Sequence, residues 1–242
     1  MVTANGHDVA ALAPPAMGSA STACVVNATF LLDGGAYAGG ASWADTSGNA
    51  RNATLIGAPA YSTTFGGHLT FDGAGQYASL AANPTFDLGT RDFSVVAYVR
   101  TQTYSGDGGY YRRIFSLGSD GNRAGNFQLI LDTVTGGAYL WTMSGQLDRI
   151  GQRPVADGVW HGVVATRVGN VFSLYVDGVL DVTQTWSGAM SSNGTTPLIG
   201  RYTTGASGRF NGAIARLALL PWGMSAAEVS ADFQAQRARF GR

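Results

Sequence analysis

From Val25 onward the chain is written in short runs whose apolar positions return every second residue. Phe93, Val95, Ala97 and Val99 alternate with Ser94, Val96, Tyr98 and Arg100, and Phe127, Leu129 and Leu131 share one face of "NFQLILD". A two-residue period is that of a strand with one face buried, so both runs read as half-buried strands. "AYLWTM", "WHGVVATR" and "VFSLYV" follow, each bounded by Gly, Asp or Asn. Turn signals this frequent, uninterrupted by a long helical period, predict an all-β sandwich of two antiparallel sheets. One helix closes the pattern. Ser225-Ala-Ala-Glu228 has capping-box spacing ahead of "VSADFQAQRARF", which predicts a short C-terminal helix from about residue 225.

The run "VFSLYVDGVLDV" carries two aspartates, Asp177 and Asp181, where a pair of catalytic carboxylates could be sought. Asp177-Gly178 lies between two strand patterns, and an Asp-Gly pair takes the positive φ angles of a two-residue hairpin turn. Asp177 therefore reads as turn chemistry. Asp181 falls on the outgoing strand and is expected to face solvent, so neither reads as an acid or base.

Composition narrows the picture. A chain of 242 residues with 45% hydrophobic content, 11% aromatic and Gly 35 can bury one full core of many short strands. Formal net charge is +0, and every basic residue is arginine, a bias that together with abundant Ala and Gly suggests a GC-rich bacterial or phage genome. No basic cluster longer than Arg112-Arg113 occurs, which argues against nucleic-acid binding. The single Cys24 excludes an internal disulfide framework and a Cys-based zinc site. No apolar run reaches the length of a bilayer span, so membrane insertion is not expected. Residues 1–24, rich in Ala, Gly, Ser and Pro, lack a positively charged start and are broken by Pro14-Pro15. They read as an N-terminal arm, distinct from a sandwich over 25–242, and not as a secretory signal. Such an arm is expected to gain order by docking on a neighbour, in a homo-oligomer or a particle. Asn27-Ala-Thr29, Asn52-Ala-Thr54 and Asn193-Gly-Thr195 fit the glycosylation pattern and read as chance matches.

"DGVWHGVVATRVGNVFSLYVDGVLDV" resembles the strand, turn and hairpin signature of laminin-G-like, concanavalin A-like lectin/glucanase domains, in which a Trp-His pair opens one strand and "LYVDG" closes the next. "ADTSGNARNATLIGAP", "HLTFDGAGQYASL", "RDFSVVAYVRT", "LIGRY" and "GRFNGAIARLALLPWGMSAAEV" resemble the remaining blocks in the same order, over roughly residues 25 to 235. The resemblance implies a concanavalin A-like jelly roll of two curved sheets whose concave face and rim loops commonly bind glycans. It leaves function open, because such domains serve as carbohydrate-binding modules, adhesion modules and, in one branch, glycoside hydrolases.

The hydrolase branch needs two close glutamates on one strand. This chain has one, Glu228, already claimed by the helix cap. There is no Gly-x-Ser-x-Gly elbow and no lysine for a P-loop, and His7, His68 and His161 lack metal-ligand spacing. No catalytic residue is assigned and the protein is not expected to be an enzyme. Family members often hold calcium at the rim. Here Ala215 follows Gly212-Ala-Ile214 where relatives commonly carry an aspartate, which removes one hard oxygen ligand. Asp33 and Asp45 remain as calcium ligands or as turn formers, so no metal residue and no cofactor is assigned and calcium stays open.

Glycan binding needs aromatic faces and short polar or arginine side chains. Trp160 and Trp222 lie within the family blocks and read as core. "TYSGDGGYYRR" crowds Tyr104, Tyr110, Tyr111, Arg112 and Arg113 into a glycine-rich loop, either a binding loop or a solvated hairpin with tyrosines packed on its own sheet. "LIGRYTTGASGRF" offers Arg201, Tyr202 and Arg209 in a second loop of the same character. Tyr139 and Trp141 share one face by alternation, which is either core or concave surface. The ligand-binding candidates are Tyr110, Tyr111, Arg112, Arg113, Trp141, Arg201 and Tyr202. The expected function is a non-catalytic, lectin-like module for a cell-surface or capsular polysaccharide, set on a phage-like head or tail fibre or secreted. The rival expectation is a virion assembly protein that binds no glycan.

Overall fold

The computed structural model describes residues 27–102, 111–118, 126–132, 135–142, 148–192, 194–202 and 208–242. The arm of residues 1–24 lies outside them. The chain begins with β1 (Phe30–Asp33), β2 (Ser42–Trp43), β3 (Ala53–Ile56), β4 (Ala60–Ser62), β5 (His68–Asp72) and β6 (Tyr77–Leu80). The middle holds β7 (Phe93–Arg100), β8 (Tyr111–Leu117), β9 (Phe127–Asp132), β10 (Gly137–Thr142) and β11 (Asp148–Pro154). It ends with β12 (Trp160–Val168), β13 (Val171–Val176), β14 (Val179–Thr185), β15 (Leu198–Ile199), β16 (Asn211–Leu220) and the helix α1 (Ala226–Arg237). The first sheet runs β14-β13-β12-β7-β16-β5-β4, and the second β11-β10-β9-β8-β15-β6-β3-β2. All named pairings are antiparallel, and the ten-residue β16 pairs β5 with its first half and β1 with its second. This is the jelly-roll sandwich of two antiparallel sheets.

The inner faces meet in one apolar core that includes Phe30, Trp43, Phe71, Phe93, Phe115, Phe127, Phe172 and Phe210, each at most 1% exposed. Burial of each such ring stabilises the fold by about 1.5–3 kcal/mol over leaving it in water. Edge-to-face pairs such as Phe93–Phe127, at 5.3 Å and 82°, add specific geometry.

The outer face of the first sheet is covered as well. Val96, Tyr98, Trp160, Val164 and Tyr175 pack beneath Met224, Val229 and Phe240 in a second apolar cluster. This corrects the expectation of half-buried strands: Ser94, Val96 and Tyr98, on the second face of β7, are also buried. The alternation marks which residues share a face, but whether that face is wet depends on where α1 lands. Trp160, 2% exposed, belongs to this outer layer and not to the inter-sheet core, while Trp222 is a half-buried flank of it. Polar contacts fasten the helix. Arg216 meets Asp232 at 3.0 Å, and Tyr98 donates its hydroxyl to the same carboxylate at 2.8 Å, all of them buried. Beyond the helix Arg239 forks onto Asp33 at 2.8 and 2.9 Å.

At the β14 edge of the first sheet the two sheets are tied to each other. Asp177 and Gly178 take φ of 53° and 77°, the two positive angles of the expected hairpin turn. Asp181, expected to face solvent, instead accepts the backbone N–H groups of Gln152 (3.1 Å) and Arg153 (3.3 Å) on β11, joining the edge of the first sheet to that of the second. Gly151 permits this approach, since a Cβ there would stand 2.2 Å from the Asp181 Oδ2.

Candidate functional site

Register decides which side chains reach the outer face of the second sheet. On β6, Ala78 and Leu80 point into the core, which turns Tyr77 and Ser79 outward beside Ile56 and Thr54 of β3. On β9 the core takes Leu129 and Leu131, so Gln128, Ile130 and Asp132 face out, opposite Ser116, Arg113 and Tyr111 of β8. Tyr111–Leu117 is thus strand, where the sequence had suggested loop as far as Arg113. Gly200, with φ of 79°, turns the chain out of β15. Arg201 and Tyr202 are thereby carried across this outer face, where the Arg201 carbonyl accepts the Ser116 hydroxyl at 3.1 Å.

The result is an alternating series of tyrosines and arginines. The Arg201 guanidinium lies 4.7 Å from the Tyr77 ring centroid, the Arg113 guanidinium 4.6 Å from Tyr202 and 5.7 Å from Tyr111, and Tyr111 meets Tyr139 edge-on at 5.3 Å. The Arg113 Nε donates to Gln128 Oε1 at 3.1 Å, and the buried Gln128 Nε2 has no partner among the described residues. Gly208 is needed here, because its φ is 73° and a Cβ would stand 2.6 Å from the Tyr111 carbonyl. The series marks a border. On one side Gln128, Ile130 and Tyr139 are closed over, at 2% exposure or less. On the other, Ser42 and Thr54 are exposed and Ile56 and Ser79 half-buried. Tyr77, Arg201, Tyr202 and Tyr111 are half-buried along the line between them.

Of the sequence candidates, Tyr111, Arg113, Arg201 and Tyr202 therefore converge. Tyr77, Gln128 and Tyr139 join them; for Tyr77 and Gln128 the signal was available only as outward alternation on strands whose pairing was unknown. Arg112 does not join. Its position opposite the core residue Leu131 turns it to the other face, 3% exposed, with a guanidinium bond to the Arg209 carbonyl at 3.0 Å. Tyr104 and Tyr110 lie outside the described residues, as does the side chain of Trp141, whose backbone register sets it opposite Gln128.

Other polar clusters serve the fold. His161, 4% exposed, is held between Asp177 (2.9 Å to Nδ1) and Asp157 (3.0 Å to Nε2). Burial works against its protonation, but the hydrogen bonds and charges of Asp177 and Asp157 prevail and raise its pKa. Burial likewise opposes ionisation of Asp177, yet His161, the Gly162 N–H and Arg242 bring its pKa below the usual value. With both ring nitrogens engaged, this histidine has none to offer a substrate. The block "DGVWHGVVATRVGNVFSLYVDGVLDV" contains all three residues of this cluster. Asp45 accepts N–H groups of Leu31, Ser47 and Arg51 at 2.8–2.9 Å, plus the Ser47 hydroxyl. That makes it a turn organiser, and Asp33 is engaged by Arg239. Among the described residues no three His, Cys, Asp or Glu side chains group as a metal site. Glu228 accepts from the Ser225 N–H at 2.7 Å in the capping box. A cleft of about 220 Å³ at the far end of the sandwich is lined by Thr29, Asn49, Arg51 and Arg91, among others. Its arginines are turned onto backbone carbonyls, Arg51 onto Thr29 at 2.6 Å and Arg91 onto Asp87 at 2.6 Å.

Comparison with known proteins agrees with this architecture. A family model described as the concanavalin A-like lectin/glucanases superfamily matches residues 72–230. No curated protein matches the sequence significantly. Among solved structures, domain 4 of an extracellular arabinanase from Geobacillus stearothermophilus, in complex with arabinotriose, superposes with a TM-score of 0.66 at 15% identity, covering 84% of this chain and 97% of that one. The binding domain of paraclostridial mosquitocidal protein 1 gives 0.67 at 15% identity, over 86% of this chain and 52% of that one. Trypanosoma rangeli sialidase gives 0.61 at 18%, over 89% and 34%. The chain thus spans nearly all of the first but only about half and a third of the other two, and at these identities the likeness is one of fold.

Proposed function

The chain belongs to the concanavalin A-like lectin/glucanases superfamily, and on that premise we propose that it is a non-catalytic carbohydrate-binding module whose ligand lies along Tyr77, Arg201, Tyr202, Arg113 and Tyr111. The observation that carries this reading is the tyrosine–arginine series on the second sheet's outer face, at the border between its closed part over β8–β10 and its open part at Ser42, Thr54 and Ile56. Sugar rings present C–H faces that stack on aromatic rings and hydroxyls that accept from fixed donors. Arg201, held against the Tyr77 ring by a cation–π contact, is such a donor, with part of its rotamer entropy already lost before a ligand arrives. The arabinanase domain, of the same fold, is seen with arabinotriose, which supports the reading by analogy. Glu228, the one glutamate, is engaged as the cap of the helix on the other sheet, which supports a non-catalytic reading. Such a module would meet its polysaccharide outside the cell or on a particle surface.

Affinity electrophoresis and calorimetry against a polysaccharide panel test the reading. Tyr202→Ala should weaken binding of any retained glycan at least ~10-fold, as loss of a central aromatic anchor does. Its unfolding midpoint should stay within about 2 °C of the parent, since the side chain is half-exposed. A panel on which nothing is retained, or a Tyr202→Ala protein that binds unchanged, overturns it.

A further inference from the structure

Within that reading, on which this inference rests, we propose that the ligand carries a carboxylate and that Arg201 reads it. Three arginines elsewhere on the molecule meet aspartates, Arg216 with Asp232, Arg239 with Asp33 and Arg242 with Asp177, and others turn their terminal nitrogens onto backbone carbonyls, Arg51 onto Thr29, Arg91 onto Asp87 and Arg167 onto Gly89 and Gly188. Arg201 has neither among the described residues. Its one hydrogen bond is from Nε to the Tyr202 carbonyl at 3.3 Å, so both terminal nitrogens keep their N–H groups unspent. The guanidinium carbon lies 4.7 Å from the Tyr77 ring centroid, a cation–π contact that holds the head group on this face. Four unspent N–H groups on a half-buried fork match a planar carboxylate better than a lone sugar hydroxyl, because two parallel charge-assisted bonds can form at once.

The surroundings favour the same charge. On this outer face the described side chains include two arginines, Arg113 and Arg201, and one carboxylate, Asp132. Asp132 uses its Oδ2 to accept the Thr135 N–H at 2.7 Å and the Thr135 hydroxyl at 2.8 Å. Ser42, Thr54 and Ser79, on the open side, are neutral and can hydrogen-bond the hydroxyls of a flanking sugar. An acidic sugar placed with its carboxylate on Arg201 would thus have hydroxyl partners on one side and the Tyr202 ring on the other. A neutral sugar would leave a half-buried cation uncompensated, which is the basis of discrimination.

The test compares each acidic probe with its own neutral form. Trigalacturonate, a mannuronate trimer and 3′-sialyllactose are titrated against the wild-type protein beside their carboxyl methyl esters, with arabinotriose and maltotriose as neutral standards. At least one acid should bind ~10-fold or more tightly than its ester, a preference that shrinks as salt rises because the carboxylate contact is partly exposed. Arg201→Gln should bind acid and ester alike while keeping the parental unfolding midpoint, and Arg201→Lys should keep part of the preference, as a point charge without the fork. Neutral glycans bound as tightly as acids, or a preference that survives in Arg201→Gln, overturns the inference and leaves the carbohydrate-binding reading standing. A preference for sulfated over carboxylated forms of one sugar overturns the carboxylate assignment. Retention of no probe of either class removes the binding reading and the inference with it.

Discussion

Replacing Asp232 by alanine should loosen α1 from the first sheet. The side chains of Arg216 and Asp232 are 4% and 3% exposed and meet at 3.0 Å. The second carboxylate oxygen accepts the Tyr98 hydroxyl at 2.8 Å. Burial, together with the Asp232 charge and hydrogen bond, pushes the Tyr98 phenol far above its ordinary pKa, so it remains the donor at every accessible pH. Truncation leaves a guanidinium and a phenol buried, each without its carboxylate. Breaking one side of a buried ion pair costs about 3–5 kcal/mol. At about 2–4 °C per kcal/mol for a chain of this size, the thermal midpoint should fall by roughly 6–20 °C. A double variant, Arg216→Met with Asp232→Leu, separates lost packing from lost charge compensation. It removes both ions at similar volume and should recover most of the loss, because neither desolvation cost then opposes folding. Tyr98 keeps a second acceptor in that variant, the Asp232 carbonyl at 3.3 Å. Urea unfolding followed in parallel by far-ultraviolet dichroism and tryptophan fluorescence gives the free energies, with coincident curves as the check on two-state behaviour. A loss below about 1 kcal/mol for Asp232→Ala, or a double variant as unstable as the sum of the singles, would refute the account.

The Asp157–His161–Asp177 cluster predicts a pH signature. A histidine with a raised folded pKa stabilises the fold fully below its unfolded value near 6.5 and loses that contribution as pH rises through the folded pKa. Both aspartates have lowered pKa values, so their contribution holds above about 3.8 and fades as pH falls below it. His68 runs the other way, burial with Arg100 and Arg239 outweighing the Thr64 carbonyl to hold its pKa down, so it favours the fold above about 6.5. The difference between wild type and His161→Gln isolates the cluster. That difference should be largest between about pH 4 and 6.5 and shrink toward pH 8.5, and a constant difference across this range would exclude the assignment. Gly151→Ala should cost about 1–3 kcal/mol, because the new methyl would stand 2.2 Å from the Asp181 Oδ2 and 2.8 Å from the Ala138 carbonyl. An unfolding midpoint equal to the parent's in urea would show that the β11–β14 tie is looser than these distances state.

What the sequence determined by itself is local. The alternation in "FSVVAYVR" and "NFQLILD", the positive φ angles at Asp177-Gly178 and the Ser225–Glu228 cap each depend on neighbours within a few residues, and each stands where the pattern put it. The family blocks extended that reach to the jelly roll, because several such units in order leave few other ways to close two sheets. Pairing across the molecule was decided by tertiary structure. Alternation gives β7 two faces, but only the docking of α1 makes both of them dry. A composition of tyrosine and arginine marks two segments as alike, but only the register of β8 and the turn at Gly200 lay Tyr202 on Arg113 and separate Arg113 from Arg112. Asp181 shows the same limit, a strand residue whose partners are backbone groups of the other sheet. A side chain's face is fixed by its own backbone period, whereas its partner is fixed by which distant strand arrives beside it, and that follows from burial of the whole core and not from any single stretch of chain.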